Sequence, residues 1–266
     1  MLRSTLHFFG DNYYPTAEIY TQRRSAPGIM DIAYLRYYKS DTIDGPMATS
    51  VAAHRWTAPM LALMEHLKPA VKSAQTTSPA IFLETRGAVS IKDAMTGSLY
   101  NLRFASTTIN IIEKGSHAGI DAKSFGIITP YLAQLHVYEQ ALRKLHSEFP
   151  DAGFNHVLVG TTDSMEGNER PIIIFDSGVT NLVGFTNDKG RCLARAKDIV
   201  IVVAQPAKLE TFDHVDTELK EVYKLAHDRK LVRYLRDDHV LYAHRYVSTR
   251  VQLNQLNLDE IENANL

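Results

Sequence analysis

Short apolar runs alternate along the chain with segments whose apolar residues recur every three or four positions. The runs lie at 81–83, 125–128, 156–159, 171–175 and 199–203. The last of them, Ile-Val-Ile-Val-Val, is the richest in β-branched residues, which favour strands. Strands that are apolar throughout are typical of a parallel sheet that is covered on both faces. The pattern therefore predicts five buried strands.

Two segments between these runs have helical periodicity. Apolar residues recur from Leu99 to Ile112 and from Leu132 to Phe149 in steps of three and four. Thr129-Pro130 predicts the start of the second helix, with the threonine as N-cap and the proline in the first turn. Because strands alternate with amphipathic helices, we expect an α/β fold with a mostly parallel sheet between helical layers.

The flanking segments differ in composition from this regular part. Residues 45–80 are rich in Ala, Thr, Ser and Pro, and we interpret them as an insertion or connector with one short helix near Ala58–Leu67. The chain becomes charged and helical in pattern over Glu218–Leu235 and ends in a polar stretch. We therefore expect a first unit over 1–210 and a helical C-terminal tail over 211–266, partly disordered at its end.

Composition narrows the possible environments and partners. The net charge of −1 gives no overall basic surface, so any binding of nucleic acid must come from a local groove. Cys192 is the one cysteine of the sequence, which excludes an intrachain disulfide and a cysteine-rich zinc site. No apolar run is long enough to span a membrane. We expect a soluble intracellular protein, cytoplasmic or nuclear, with no membrane partner.

Four polar segments adjoin the predicted strands, and we expect them at the carboxyl ends of strands, where parallel α/β sheets hold their sites. They are Thr21–Arg24, Ile127–Tyr131 with Gln134 one turn later, Thr161–Glu169 and Gly190–Lys197. Each has a purely structural interpretation when it is taken alone: solvated arginines, a helix cap, an acidic turn and a helix-surface charge. Their order and spacing together indicate a shared function.

In this order the segments resemble the C-terminal domain of superfamily 1 helicases, in the branch that includes the nonsense-mediated decay helicase and senataxin. The resemblance covers roughly residues 10–45 and 80–205. The motifs that carry it are Gln22-Arg23-Arg24, Ile127-Ile128-Thr129-Pro130-Tyr131 with Gln134, Thr161–Glu169 before an apolar strand, and Gly184-Phe185 followed by Leu193–Lys197. Ser98-Leu99-Tyr100-Asn101 also resembles a helix start of this family. The resemblance implies a three-layer RecA-like domain of the P-loop NTPase type.

The resemblance also implies roles for single residues. Arg24 and Arg195 would reach the γ-phosphate of a nucleotide, where an arginine from a facing domain raises the rate of phosphoryl transfer. Glu169 matches a position that contacts the nucleotide sugar or couples the nucleotide to the bound strand. The remaining residues matched to the nucleotide site are Gln22, Gly167 and Arg191. The residues matched to the single-strand groove are Thr129, Tyr131, Gln134, Thr161 and Asp163.

The motif that cradles nucleotide phosphates, Gly-x-x-x-x-Gly-Lys-Ser/Thr, does not occur in this sequence. We therefore expect ATP with Mg to bind only when a first RecA-like domain, missing here, or a partner protein completes the cleft. Single-stranded RNA or DNA is the expected second partner. Asp176 follows an apolar strand like a metal-binding carboxylate, but without a phosphate loop upstream we do not expect it to bind a metal.

Two departures from the family pattern concern the arginine motif and the loop before it. Glu166 stands where the family has glutamine, and a carboxylate there would repel phosphate. The motif before the strand at 199–203 is shortened, and Ala194 replaces the customary threonine. The shortening leaves open whether Arg195 or Arg191 faces the nucleotide.

Two other functions are compatible with the sequence to different degrees. A non-enzymatic remnant of a helicase could use the groove or the tail to bind nucleic acid or another protein. An independent hydrolase that uses histidine and aspartate has less support, because His136, His146 and His156 fall on unrelated faces.

Overall fold

The computed structural model describes residues 21–22, 25–26, 28–29, 43–44, 57–69, 78–165, 167–180, 195–205 and 218–247. Its strands are β1 (Thr21–Gln22), β2 (Ile43–Asp44), β3 (Lys68–Pro69), β4 (Ala80–Glu84), β5 (Ile91–Lys92), β6 (Leu99–Tyr100), β7 (Phe125–Thr129), β8 (Leu158–Thr161), β9 (Arg170–Asp176), β10 (Ala196–Ala204) and β11 (Val232–Tyr234). Its α-helices are α1 (Ala58–His66), α2 (Leu102–His117), α3 (Leu132–Glu148), α4 (Glu218–Asp228) and α5 (Asp237–Val247). Short 3₁₀ turns at Ala122–Ser124, Pro150–Ala152 and Phe154–His156 join some of these elements.

The main sheet of the described residues has seven strands in the order β3-β11-β4-β10-β9-β7-β8. Six of them run parallel, and only the pairing of β3 with β11 is antiparallel. Two further pairs stand outside this sheet: the parallel pair β1–β2 and the antiparallel hairpin β5–β6. Because parallel neighbours need crossover connections, helices cover the sheet, and the predicted mostly parallel α/β fold is confirmed.

Each face of the sheet has its own hydrophobic core, because alternate residues of a strand point to opposite faces. On one face Ile127, Ile174 and Ile201 pack with α1, α2, α3 and α5. On the other face Ile173 and Val202 pack with the buried residues of α4. Burial on both sides explains why the strands are apolar throughout. Among the described helices, none has the length and apolar character needed to cross a membrane.

The predicted strands and the helix near Ala58–Leu67 are confirmed, but two helix starts were wrong. Leu99 belongs to β6, and α2 begins only after Asn101, whose side-chain oxygen accepts a hydrogen bond from the Phe104 amide. Thr129 does not cap α3, because β7 continues through this residue and Tyr131 occupies the N-cap position. The Ala133 amide instead donates to Ser98 Oγ at 3.1 Å, so another segment supplies the polar partner.

Helices after residue 210 are confirmed by α4 and α5, but the helical pattern expected through Leu235 is wrong at its end. Val232–Tyr234 forms β11, which pairs with β4 on one side and β3 on the other. This strand is only three residues long and carries no alternating pattern, so its partners rather than its own sequence define it. Helix α5 packs on α2 and α3. The described part of 211–266 thus contributes to the same core, while the boundary at 210 stays a prediction.

Candidate functional site

Two of the four motif segments, together with the residues that follow a third, meet at the amino ends of β9 and β10. Ser25 Oγ donates a hydrogen bond of 2.7 Å to the carbonyl oxygen of Ala196, and the Ala26 amide donates one of 2.7 Å to that of Lys197. Glu169, just before β9, pairs with Lys197 through a contact of 2.6 Å between Oε1 and Nζ. We call Ser25, Glu169, Arg195 and Lys197 the amino-edge cluster.

The position of this cluster corrects the expected location of the site. We expected all four segments at the carboxyl ends of strands, but Glu169 and Arg195 precede β9 and β10 and therefore lie at the opposite edge of the sheet. The reason is the direction of the chain: a motif that comes before a parallel strand lies at its amino end. In the part of the main sheet that the structure describes, Thr129–Gln134 and the first residues of Thr161–Glu169 continue from the carboxyl ends of β7 and β8.

The amino-edge cluster presents positive charge at the surface. Glu169 and Lys197 are partly exposed, at 37% and 41% of their side-chain areas, and largely neutralise each other. Arg195 is also partly exposed, and within the described ranges it forms no ion pair. The pairing of β9 with β10 shifts register between Ala196 and Ile199, so the backbone bulges next to this arginine. The cluster can therefore offer the Arg195 guanidinium to an anion.

The structure describes two of the other four residues matched to a nucleotide site, Gly167 and Gln22. Gly167 is exposed with a φ of +81°, and a Cβ atom there would meet nothing within 4 Å, so a ligand could approach the backbone of this loop closely. The backbone of Gln22 pairs with Asp44 in the β1–β2 ladder. Arg24 and Arg191 lie outside the described residues, although Ser25, the neighbour of Arg24, belongs to the cluster.

Of the five residues matched to a strand groove, two reach the surface and three lie inside. Asp163 is exposed and Thr161 is partly exposed, in a turn where Ser164 Oγ accepts from the Thr161 amide at 2.8 Å. The three buried residues are Thr129, Tyr131 and Gln134. The two groups adjoin each other, because the Thr162 amide donates to the Thr129 carbonyl oxygen at 3.2 Å.

A buried carboxyl group that sequence reasoning did not connect with the groove lies beneath these residues. Asp176 Oδ2 accepts hydrogen bonds of 2.5 Å from Gln134 Nε2 and of 2.5 Å from the Tyr138 hydroxyl, and Oδ1 accepts one of 2.7 Å from the Gly178 amide. Burial raises the pKa of Asp176 to about 6. The signal in the sequence is an acidic residue directly after a fully apolar strand.

The described residues do not suit a magnesium ion. Within these ranges no three carboxylate, histidine or cysteine side chains come together as metal ligands, and the oxygens of Asp176 already serve three donors. Cations at the amino edge, by contrast, are of the kind that bind phosphate groups.

Comparison with known proteins gives matches along most of the chain. A family model described as an AAA domain matches residues 2–207. The Regulator of nonsense transcripts 1 homolog of Drosophila melanogaster is 33% identical over 170 residues, which are 59% of this chain and 13% of that protein. Helicase sen1 of Schizosaccharomyces pombe is 24% identical over 201 residues, 72% of this chain and 11% of that protein.

A further relative is the 5'-3' DNA helicase ZGRF1 of Mus musculus, 25% identical over 186 residues, which are 69% of this chain and 9% of that protein. The chain thus spans between 9% and 13% of the length of these three relatives. The match therefore concerns a small part of each relative, and the activities of the whole relatives do not transfer directly to this chain.

Proposed function

Because this chain belongs to the AAA domain family and is a superfamily 1 helicase domain of the nonsense-mediated decay and senataxin type, we propose that it acts as the second RecA-like domain of an ATP-dependent RNA or DNA helicase. In this role it supplies arginine to an ATP cleft and forms part of a groove for a single strand. A first RecA-like domain holds ATP and Mg. The observation that carries the proposal is the convergence of residues 25–26, Glu169 and residues 195–197 at one sheet edge.

Arg195 is the proposed catalytic cation. Negative charge on the transferred phosphoryl group is spread over its oxygens in the transition state, and a guanidinium placed there stabilises it. The partial exposure of Arg195 supports this role, because the side chain can reach a group outside its own domain. Arg24 is proposed as a second cation, since its neighbour Ser25 is anchored to the start of β10. Gln22 and Arg191 are proposed to approach the same cleft.

Residues 161–169 are proposed to couple the bound nucleic-acid strand to the nucleotide. This loop begins at the carboxyl end of β8, where Thr161 and Asp163 reach the surface, and ends at Glu169 in the amino-edge cluster. A bound nucleic-acid strand that displaces Thr161 and Asp163 therefore acts on the same loop whose last residue, Glu169, pairs with Lys197. The Asp163 carboxylate repels phosphate, so it suits a ribose hydroxyl or a base N–H rather than the backbone of the strand.

A second candidate function is a non-enzymatic module that binds nucleic acid or protein. The absence of a Gly-x-x-x-x-Gly-Lys-Ser/Thr motif from the sequence and the acidic Glu166 favour it over an enzyme that works alone. It shares the groove with the first proposal but makes no use of Arg195. Turnover of ATP by the chain joined to a first RecA-like domain therefore separates the two.

The proposed groove is tested by titrating fluorescein-labelled oligouridine with the purified chain at increasing salt. We expect binding that weakens as salt rises, because phosphate contacts release counterions, and no ATP turnover by the chain alone. Thr161→Ala should weaken binding about tenfold, which equals about 1.4 kcal/mol. Thr96→Ala, another turn threonine whose hydroxyl is bonded within its own turn, should leave it unchanged. Absence of binding even at low salt would refute the groove.

A further inference from the structure

Asp176 joins the segments that carry the proposed groove, although it is itself fully buried at the end of β9. It binds Gln134 and Tyr138 on α3 and the amide of Gly178 in the following loop. We infer that Asp176 is a positioning residue, which holds the start of α3 against the loop after β9 and so sets the geometry of the single-strand groove. This inference rests on the proposed function.

Gln134 transmits the position of Asp176 to two helices. Its Nε2 donates to Asp176 and, at 3.2 Å, to the Asn101 carbonyl oxygen. Its Oε1 accepts from the Asn101 amide at 2.6 Å. Because Asn101 is the N-cap of α2, one glutamine side chain fixes the starts of α2 and α3 relative to β9. The role of Gln134 in the groove is thus indirect: it holds the neighbouring residues in place.

Gly178 transmits the position of Asp176 to Tyr131. A Cβ atom on Gly178 would lie 2.5 Å from Cδ2 of Tyr131, so this ring packs directly on the backbone of the glycine. The Gly178 carbonyl oxygen accepts from Ser90 Oγ at 3.0 Å, and its amide donates to Asp176. The loop is therefore held on both sides while it supports the ring.

The segment around Tyr131 borders the surface that would meet a nucleic-acid strand. Residues 129–132 run from the end of β7 to the half-exposed Leu132, and the Thr129 carbonyl oxygen binds the Thr162 amide. Thr161 and Asp163 lie in the same turn as Thr162. A shift of the start of α3 therefore alters the spacing between Leu132 on one side of the groove and the turn of Thr161 and Asp163 on the other.

Protonation of Asp176 changes this support in a defined way. Ionised, the carboxylate accepts from Tyr138, whose oxygen accepts in turn from Thr108 across 3.1 Å. Protonated, Asp176 donates to Tyr138, and the tyrosine then donates to Thr108. Gln134 Nε2 now faces a protonated oxygen, which is a weaker acceptor. The other groups bonded to Asp176 are neutral, and Tyr138, whose pKa burial raises well above its usual value, does not ionise in this range.

The experiment measures the affinity of the purified chain for fluorescein-labelled oligouridine from about pH 7.5 to about pH 5, across the titration of Asp176. We expect wild-type affinity to fall about tenfold through pH 6 as the Gln134 bond weakens. Asp176→Asn should lower the affinity already at the upper pH, because its amide nitrogen is a donor and cannot accept the hydrogen bonds that a carboxylate oxygen accepts. It should also remove the pH step, because asparagine does not titrate. Ser106→Ala removes another buried hydrogen bond, to His244, and should change neither affinity nor step.

A second variant keeps the test decisive if Asp176→Asn does not fold. Tyr138→Phe retains the bond to Gln134 but removes a donor that lowers the pKa of Asp176, so the step should move to higher pH. An unmoved pH step in Tyr138→Phe, or wild-type affinity with the step retained in Asp176→Asn, would overturn the inference while leaving the groove intact. Absence of binding by the wild-type chain at every pH would refute the groove itself, and the inference with it.

Discussion

Two glycines with left-handed backbone show how the surroundings of a glycine determine the loss of stability when a side chain is added there. Gly178 (φ +68°) leaves no room beside Tyr131, whereas Gly167 (φ +81°) faces open space. Gly178→Ala should lower the free energy of unfolding by about 3 kcal/mol, through backbone strain and a clash. Gly167→Ala should cost only the strain, about 1 kcal/mol. Urea unfolding checks both, and equal losses would show that the contact with Tyr131 is unimportant.

At the residue scale, motif spacing identified Gln134 but not the environment of its side chain. The sequence places it one turn after Thr-Pro-Tyr, where a role at the surface of a groove is expected. The structure buries it completely against Asp176, a residue 42 positions away. Such a contact depends on the pairing of β7 with β9, which periodicity alone cannot provide. Arg195 was recognised from its motif before an apolar strand, but it lies at the amino end of that strand rather than at the expected carboxyl end.

Helix caps are the features that decide where the elements begin. Asn101 caps α2 with its side chain, accepting from the Phe104 amide at 3.0 Å in a fully buried position. Asn101→Ala should destabilise the protein by about 2 kcal/mol, because a buried amide loses its partner. Asp121→Ala removes an exposed cap of a 3₁₀ turn and should cost less than about 1 kcal/mol. Thermal unfolding of both variants measures the difference; a larger loss for Asp121→Ala would contradict this ranking.

At the element scale, the long periodic segments were predicted and the short ones were not. Five apolar runs and two amphipathic segments gave the central strands and the bodies of α2 and α3. β11 was missed because three residues, one of them the buried Arg233, carry no strand pattern. Its place next to β4 follows from the fold of the whole sheet. The start of α3 was misplaced because its amide partner, Ser98, comes from another segment.

At the scale of the whole molecule, several of the described candidate residues lie at two opposite edges of the main sheet. The amino edge carries Glu169, Arg195 and Lys197, and the carboxyl edge carries Thr161 and Asp163 above the buried Asp176. The order of the motif segments could be read from the sequence, but their assignment to the two edges required the strand directions. Two edges joined by residues 161–169 suit a domain that couples a bound nucleic-acid strand to a nucleotide held by another domain.

The central claim is that Arg195 serves a nucleotide bound by another domain. We would join the chain to the first RecA-like domain of a superfamily 1 helicase and measure ATP turnover stimulated by single-stranded RNA. Arg195→Ala should lower kcat about 10³-fold, as expected for an arginine that stabilises phosphoryl transfer. Arg143→Ala, an exposed arginine on α3, should leave turnover unchanged. Wild-type turnover in the Arg195→Ala protein would contradict the account.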